Sequence, residues 1–265
     1  VIKLIGIPYD NNSSFLKGPA LAPQRIRLMD TEGSANSYAE NGTEIRNGLN
    51  YTDEGDISFP DMRPGAAFIT IHKKIRELLS TDDPVLSLGG DHSISYPVID
   101  AFTEKYDGLN ILHLDAHGDL YENFDNNPYS HASPFARLME KGKINSLTQV
   151  GIRTLTTHQR EQADKFKVRI IEMKNFSFSF LNTLQAPLYI SLDLDVLDPA
   201  FAPGISHHEP GGMSTRELIK IIQQVNVQVV GADIVEYNPV RDSHNMTAMV
   251  AYKLMKEIIA KMIAK

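Results

Sequence analysis

Short apolar runs recur along the chain, and each gives way to a stretch with helical periodicity. The runs Ile2–Ile7, Val85–Leu88, Asn110–Leu114, Leu147–Val150, Ala186–Asp193 and Val227–Asp233 are rich in Ile, Leu and Val, as strands covered on both faces are. Between them, apolar positions three and four apart predict helices from about Ala22, then over Ala66–Leu79, Ser95–Lys105, Pro134–Lys141, Thr157–Phe166, Thr215–Val225 and Met246–Ile263. Strand and helix in alternation predict a parallel sheet with helices on both sides. Met246, Met249, Val250, Leu254 and Ile258 fall at helical spacing in the last helix, and the expectation is that they pack the core.

Composition narrows the class. The chain has 265 residues, 42% hydrophobic and 22% charged, so a single domain over 1–265 is expected. A net charge of −7, with no long Lys/Arg cluster, speaks against nucleic acid as a partner. No cysteine is present, which removes disulfides, thiolate metal sites and cysteine nucleophiles. No apolar run reaches the roughly 18 residues that span a bilayer, so no membrane association is expected. A cytoplasmic protein is expected, and with Val at position 1 a removed organelle leader stays open.

The chemistry gathers at strand ends. In YISLDLDVLDP (189–199), Asp193 and Asp195 interrupt what reads as a doubly covered strand, where an unpaired carboxylate costs several kcal/mol. Two residues apart on a strand, they are expected to leave the same face and repel unless a cation lies between them. Asp198-Pro199 reads as a turn. In ILHLDAHGDLYENF, Asp115, His117 and Asp119 alternate and project to one side if the extended conformation persists. In VLSLGGDHSISYP, Gly89-Gly90 permit a tight turn and His92 precedes a helix that Ser93 or Ser95 can cap. Four carboxylates and two imidazoles suffice for two adjacent cations if some carboxylates bridge. Mn²⁺ suits that donor set, although Zn²⁺, Fe²⁺ or Co²⁺ fits the same groups.

With these residues in place, a resemblance becomes specific. GGDHS at 89–93, DAHGD at 115–119 and SLDLDVLDP at 191–199 resemble the signatures of the ureohydrolase (arginase/agmatinase) family. KGPALAPQRIR, DEGD at 53–56, FAPGISHHEPGG and GADIVEYNPVRD extend the likeness nearly end to end, nearest the plant-type arginases and their bacterial relatives. The resemblance implies a three-layer αβα sandwich around a mostly parallel sheet of about eight strands. It also implies two Mn²⁺ per chain, hydrolysis of a guanidinium to urea and an amine, and a homo-trimer or homo-hexamer. Carried over by position, one metal takes His92, Asp115, Asp119 and Asp193, and the other His117, Asp115, Asp193 and Asp195.

A guanidinium is a poor electrophile, so the implied nucleophile is a metal-bridging hydroxide, with Asp119 passing its proton to the departing amine. Glu236 is expected to accept hydrogen bonds from the guanidinium, and His131 to shuttle protons. His207, His208 and Glu209 are expected to line the pocket or hold its wall, not to bind a third metal. L-Arginine is the first substrate expected and agmatine the second. Animal-type arginases hold the α-carboxylate with an Asn two residues after DAHxD, where this chain has Tyr121. Asn11, Asn12, Tyr121, Asn123 and His207 are the candidates for that contact. A non-catalytic binding relative and a metal-dependent deacetylase are the readings from other classes.

Overall fold

The computed structural model describes residues 1–264. Its strands are β1 (Ile2–Gly6), β2 (Tyr51–Asp56), β3 (Val85–Leu88), β4 (Leu109–Leu114), β5 (Ile144–Ile152), β6 (Arg169–Glu172), β7 (Leu188–Asp193) and β8 (Val229–Val235). The helices are α1 (Ala22–Leu28), α2 (Pro64–Leu78), α3 (Ser95–Thr103), α4 (Pro134–Glu140), α5 (Thr157–Phe166), α6 (Thr215–Gln224) and α7 (Met246–Ile263). All strands pair in parallel, in the order β2-β1-β3-β8-β7-β4-β5-β6.

Because successive strand residues point to opposite faces, the doubly apolar strands feed two cores. Leu112, Leu114, Ile190 and Leu192 pack with α1, α6 and α7 on one side. Leu109, Ile111, Leu147 and Tyr189 pack with α2, α3, α4 and α5 on the other. The result is the expected αβα sandwich. Among the described residues, no helix is long and apolar enough to cross a membrane.

Two strands escape the periodicity. β2, YTDEGD, buries only Tyr51 fully, and β6, RIIE, buries none of its residues, because both lie at sheet edges. Ionic contacts hold β2: the Arg27 guanidinium donates to both Asp53 oxygens at 2.7 and 2.9 Å, to Gly55 O, and to Asp56. In α7, Leu254 and Ile258 are in the core as expected, whereas Met246, on the first turn, is 54% exposed.

The chain order places the four central strands, β3, β8, β7 and β4, so that their carboxyl ends open on one crevice, where such sheets bind ligands. Gly90 governs the first of these ends. A Cβ there would stand 1.8 Å from Tyr9 O, which accepts the Asp91 N–H at 3.0 Å. Gly90→Ala is therefore expected to destabilise the protein by about 3 kcal/mol or more, since a backbone carbonyl cannot rotate away. A shift under about 1 kcal/mol in denaturant unfolding would contradict that packing.

Candidate metal centre and substrate cavity

Each central strand delivers polar groups as it ends. After β3, the Asp91 side chain accepts the Ser93 N–H at 3.0 Å and caps the following 3-10 turn, a role expected of Ser93 or Ser95. Asp91 also accepts the Asn12 N–H at 3.0 Å, tying the segment after β1 to the site. After β4, the extended conformation does not persist: the strand stops at Leu114, and Asp119 has φ 47°. After β7, Asp195 lies in a 3-10 turn, and Asp193 Oδ1 accepts its N–H at 2.8 Å. The alternation expected along both strands is thus replaced by turns, which nevertheless bring the six residues together.

His92 is at the centre of the cluster. Its Nδ1 lies 3.2 Å from Asp115 Oδ2, 3.0 Å from Asp119 Oδ2 and 3.2 Å from Asp193 Oδ2, and it is buried without a hydrogen-bond partner. His117 Nδ1 lies 2.9 Å from Asp195 Oδ2 and 3.4 Å from Asp115 Oδ1. Asp115 is therefore common to two groups able to hold a metal ion, with one oxygen facing each. His113 falls within the first of those groups by distance. Both of its nitrogens are already engaged, Nε2 with Asp115 Oδ2 at 2.7 Å and Nδ1 with Gln149 Nε2 at 3.0 Å, so it has no lone pair to offer a cation.

The electrostatics require positive charge. Burial pushes Asp193 well above the usual carboxylate range, with Asp195 and Asp115 adding to the rise. Burial and Asp115 push Asp195 up to about 6. Burial works to lower His92, but Asp115, Asp119 and Asp193 raise it well above the ordinary imidazole value. A proton or a metal cation can supply that charge, and the orphaned Nδ1 among three carboxylate oxygens fits the metal.

Glu236, just after β8, also takes a left-handed backbone with φ 64°. Its Oε1 accepts the His92 N–H at 2.9 Å and pairs with His131 Nδ1 at 2.8 Å; its Oε2 is buried and unpartnered. Burial works to raise Glu236, but His131 outweighs it and holds the carboxyl below its usual range. Burial works to lower His131, yet Glu236 pushes it up to about 9. Ser14 Oγ meets the other ring nitrogen of His131 at 2.8 Å.

These groups open on a cavity of about 150 Å³. Asp119, Asp193, Asp195, His117, His131 and Glu236 line it, together with Tyr121 and His207. The other substrate-contact candidates lie elsewhere. Asn123 is exposed and off the cavity wall, Asn11 is exposed and bonded to Met62 O at 3.1 Å, and Asn12 is buried against Ser93 at 3.1 Å. His208 faces solvent, with Nε2 2.9 Å from Pro203 O, and Glu209 contributes its backbone oxygen to Arg153. Sequence reasoning missed Ser14, Thr154 and Gln159 in the wall. The last two follow β5, so the strand-end position was the available signal.

Known proteins share this architecture. The Arabidopsis thaliana protein "Arginase 1, mitochondrial" is 47% identical over 97% of this chain and 80% of its own length. The structure of arginase from Medicago truncatula superposes with a TM-score of 0.93 at 42% identity, covering 98% of this chain and 87% of that one. An agmatinase of Bacillus cereus is 32% identical over 97% of this chain and 90% of its own length. The family model described as "Arginase family" matches residues 1–260, a span that carries every strand end described above, and the chain belongs to that family.

Proposed function

We propose that the chain hydrolyses L-arginine to urea and L-ornithine at the cavity between the His/Asp cluster and Glu236. The observation that carries this reading is the free Glu236 Oε2, a buried carboxylate oxygen with no protein donor in the wall of the cavity. A guanidinium supplies planar N–H donors and the opposite charge. His92, Asp115, Asp119 and Asp193 would hold one divalent cation, and His117, Asp115, Asp193 and Asp195 a second. The hard oxygens with two imidazoles favour Mn²⁺. Held there, two such cations would supply a strong nucleophile from water near neutral pH.

The chain's own groups do the rest. Glu236 fixes the guanidinium plane and presents its carbon to the cluster. Asp119, in the cavity wall, takes the nucleophile's proton and passes it to the departing nitrogen, so that an amine leaves. His131, charged near neutral pH through Glu236, holds a further proton beside the same nitrogens. Its link through Ser14 Oγ points the ring toward the segment after β1. The reading includes one domain assembled as a homo-trimer or homo-hexamer.

One observation favours agmatine as the second reading. Among the described residues no Lys or Arg lines the cavity, so any α-carboxylate meets neutral donors such as Tyr121, Thr154 and Gln159. The higher identity to arginases than to agmatinases supports arginine first.

Three measurements test the reading. Mn²⁺ at about 100 times its Kd is expected to stabilise the fold by about 2.7 kcal/mol per site, seen as a raised Tm that EDTA reverses. An unchanged Tm would sink the metal assignment. Urea release by the Mn²⁺-loaded protein is expected to be faster with L-arginine than with agmatine; the opposite order would make the second reading correct. Glu236→Gln puts an N–H donor or a neutral oxygen against the guanidinium, and is expected to raise KM about 10–100-fold. Parental KM in that variant would remove Glu236 from the site.

A further inference from the structure

Beneath the candidate ligands lies a second tier of polar residues. Ser87, Asp233, Ser191, His113 and Gln149 stand side by side across β3, β8, β7, β4 and β5, each in register with the next. All five are fully buried, on the sheet face that otherwise packs α2 to α5. A row of this kind is costly in a core unless its hydrogen bonds are committed.

The donors and acceptors along the row have a definite sense. Tyr189 Oη donates to Asp233 Oδ2 at 2.9 Å, and Ser191 Oγ donates to Asp233 Oδ1 at 2.8 Å. With its proton spent, Ser191 Oγ accepts from His92 Nε2–H at 3.0 Å, which turns His92 Nδ1 toward the carboxylates. At the other end, the Gln149 amide donates to Gly118 O at 2.5 Å, so its nitrogen is the atom facing His113. His113 Nδ1 must accept that second N–H, at 3.0 Å, leaving the imidazole proton on Nε2. That proton points at Asp115 Oδ2, 2.7 Å away. The His113 ring is held in this attitude against Phe135, with centroids 4.0 Å apart.

We infer that His113, its tautomer set by Gln149, is a positioning residue that holds Asp115 in the bridging attitude. Asp115 Oδ1 accepts the His117 N–H at 2.5 Å, and Oδ2 accepts from His113. Each oxygen then keeps one lone pair, Oδ2 toward the His92 group and Oδ1 toward the His117 group. Without the Nε2–H donor, Asp115 can rotate toward one group and abandon the other. The inference rests on the cluster's being a metal centre and does not depend on the substrate.

The test is Mn²⁺ titration of the apo-protein, with free Mn²⁺ read by its EPR signal and the Tm of each apo-protein measured alongside. His113→Phe keeps the ring against Phe135 but removes the donor, and is expected to weaken binding about 10–100-fold. His113→Gln restores an N–H near the position of Nε2 and is expected to bind within about threefold of the parent. A purely structural residue would change Tm and leave the Kd alone. His113→Phe binding within about twofold of the parent, or His113→Gln as weak as His113→Phe, overturns the inference. If His113→Phe does not fold, Gln149→Leu replaces it: about tenfold weaker binding supports the relay, and parental affinity overturns it. A parent that binds Mn²⁺ but releases no urea from arginine refutes the proposed substrate alone. A parent that binds no Mn²⁺ refutes both readings.

Discussion

The repulsion among Asp115, Asp119, Asp193 and Asp195 is the constraint on which the rest of the site depends. Brought to the ends of β4 and β7, in the middle of the sheet, these carboxylates are shielded from the water that would otherwise screen them. Two imidazoles offer too little charge to balance four carboxylates. The arrangement makes sense around cations, and its backbone confirms how much is spent on it. Asp119 and Glu236 hold left-handed conformations that a residue with a Cβ normally avoids, at roughly 1–3 kcal/mol each. Such strain persists only where neighbours over-determine it. Here the Glu236 N–H is held by Gly90 O at 2.9 Å, and Gly90 is itself pressed against Tyr9.

Hydrogen-bond direction carries the same logic downward into the sheet. A carboxylate ligand must be held without having both lone pairs of each oxygen consumed, and an imidazole ligand must be held by its far nitrogen. Under the proposed ligand set, Ser191 would meet the second need for His92, and the donors around Asp115 would meet the first. Parallel pairing is well suited to this. In-register residues on adjacent strands share a face, so a polar row can cross five strands without a loop and lie one to three residues before the strand ends.

This division explains what could be read from the sequence. The six inner strands were legible because burial on both faces leaves an apolar run. The edge strands β2 and β6 were not, because only one side of each is paired and polar residues are tolerated there. The His/Asp set was legible for an energetic reason, since carboxylates following such runs need compensation. The turns that assemble it were not, because a period-two pattern is blind to the left-handed residue at Asp119 and to the 3-10 turn at Asp195. Side chains that reach the cavity from other loops were the hardest to place. Asn123 and Asn11 had the right chemistry, but loop direction turned them to solvent, while Gln159 entered the wall from the first turn of α5.

A charge count links the cluster to the substrate end. Under the two-cation reading, four ligand carboxylates balance two divalent ions, which leaves Glu236 to meet the charge of the guanidinium. His131, paired to the opposite oxygen of Glu236, adds a positive charge whenever it is protonated, so its proton is held most weakly when cations and substrate are all present. That is the moment at which a departing nitrogen needs one. Among the described residues, the rest of the cavity has no formal charge to contribute beyond His207, and burial lowers that imidazole toward its neutral form. Discrimination between arginine and agmatine must then come from neutral donors and acceptors. Gln159 Oε1, buried and unpaired, is the kind of group that penalises a substrate unable to satisfy it.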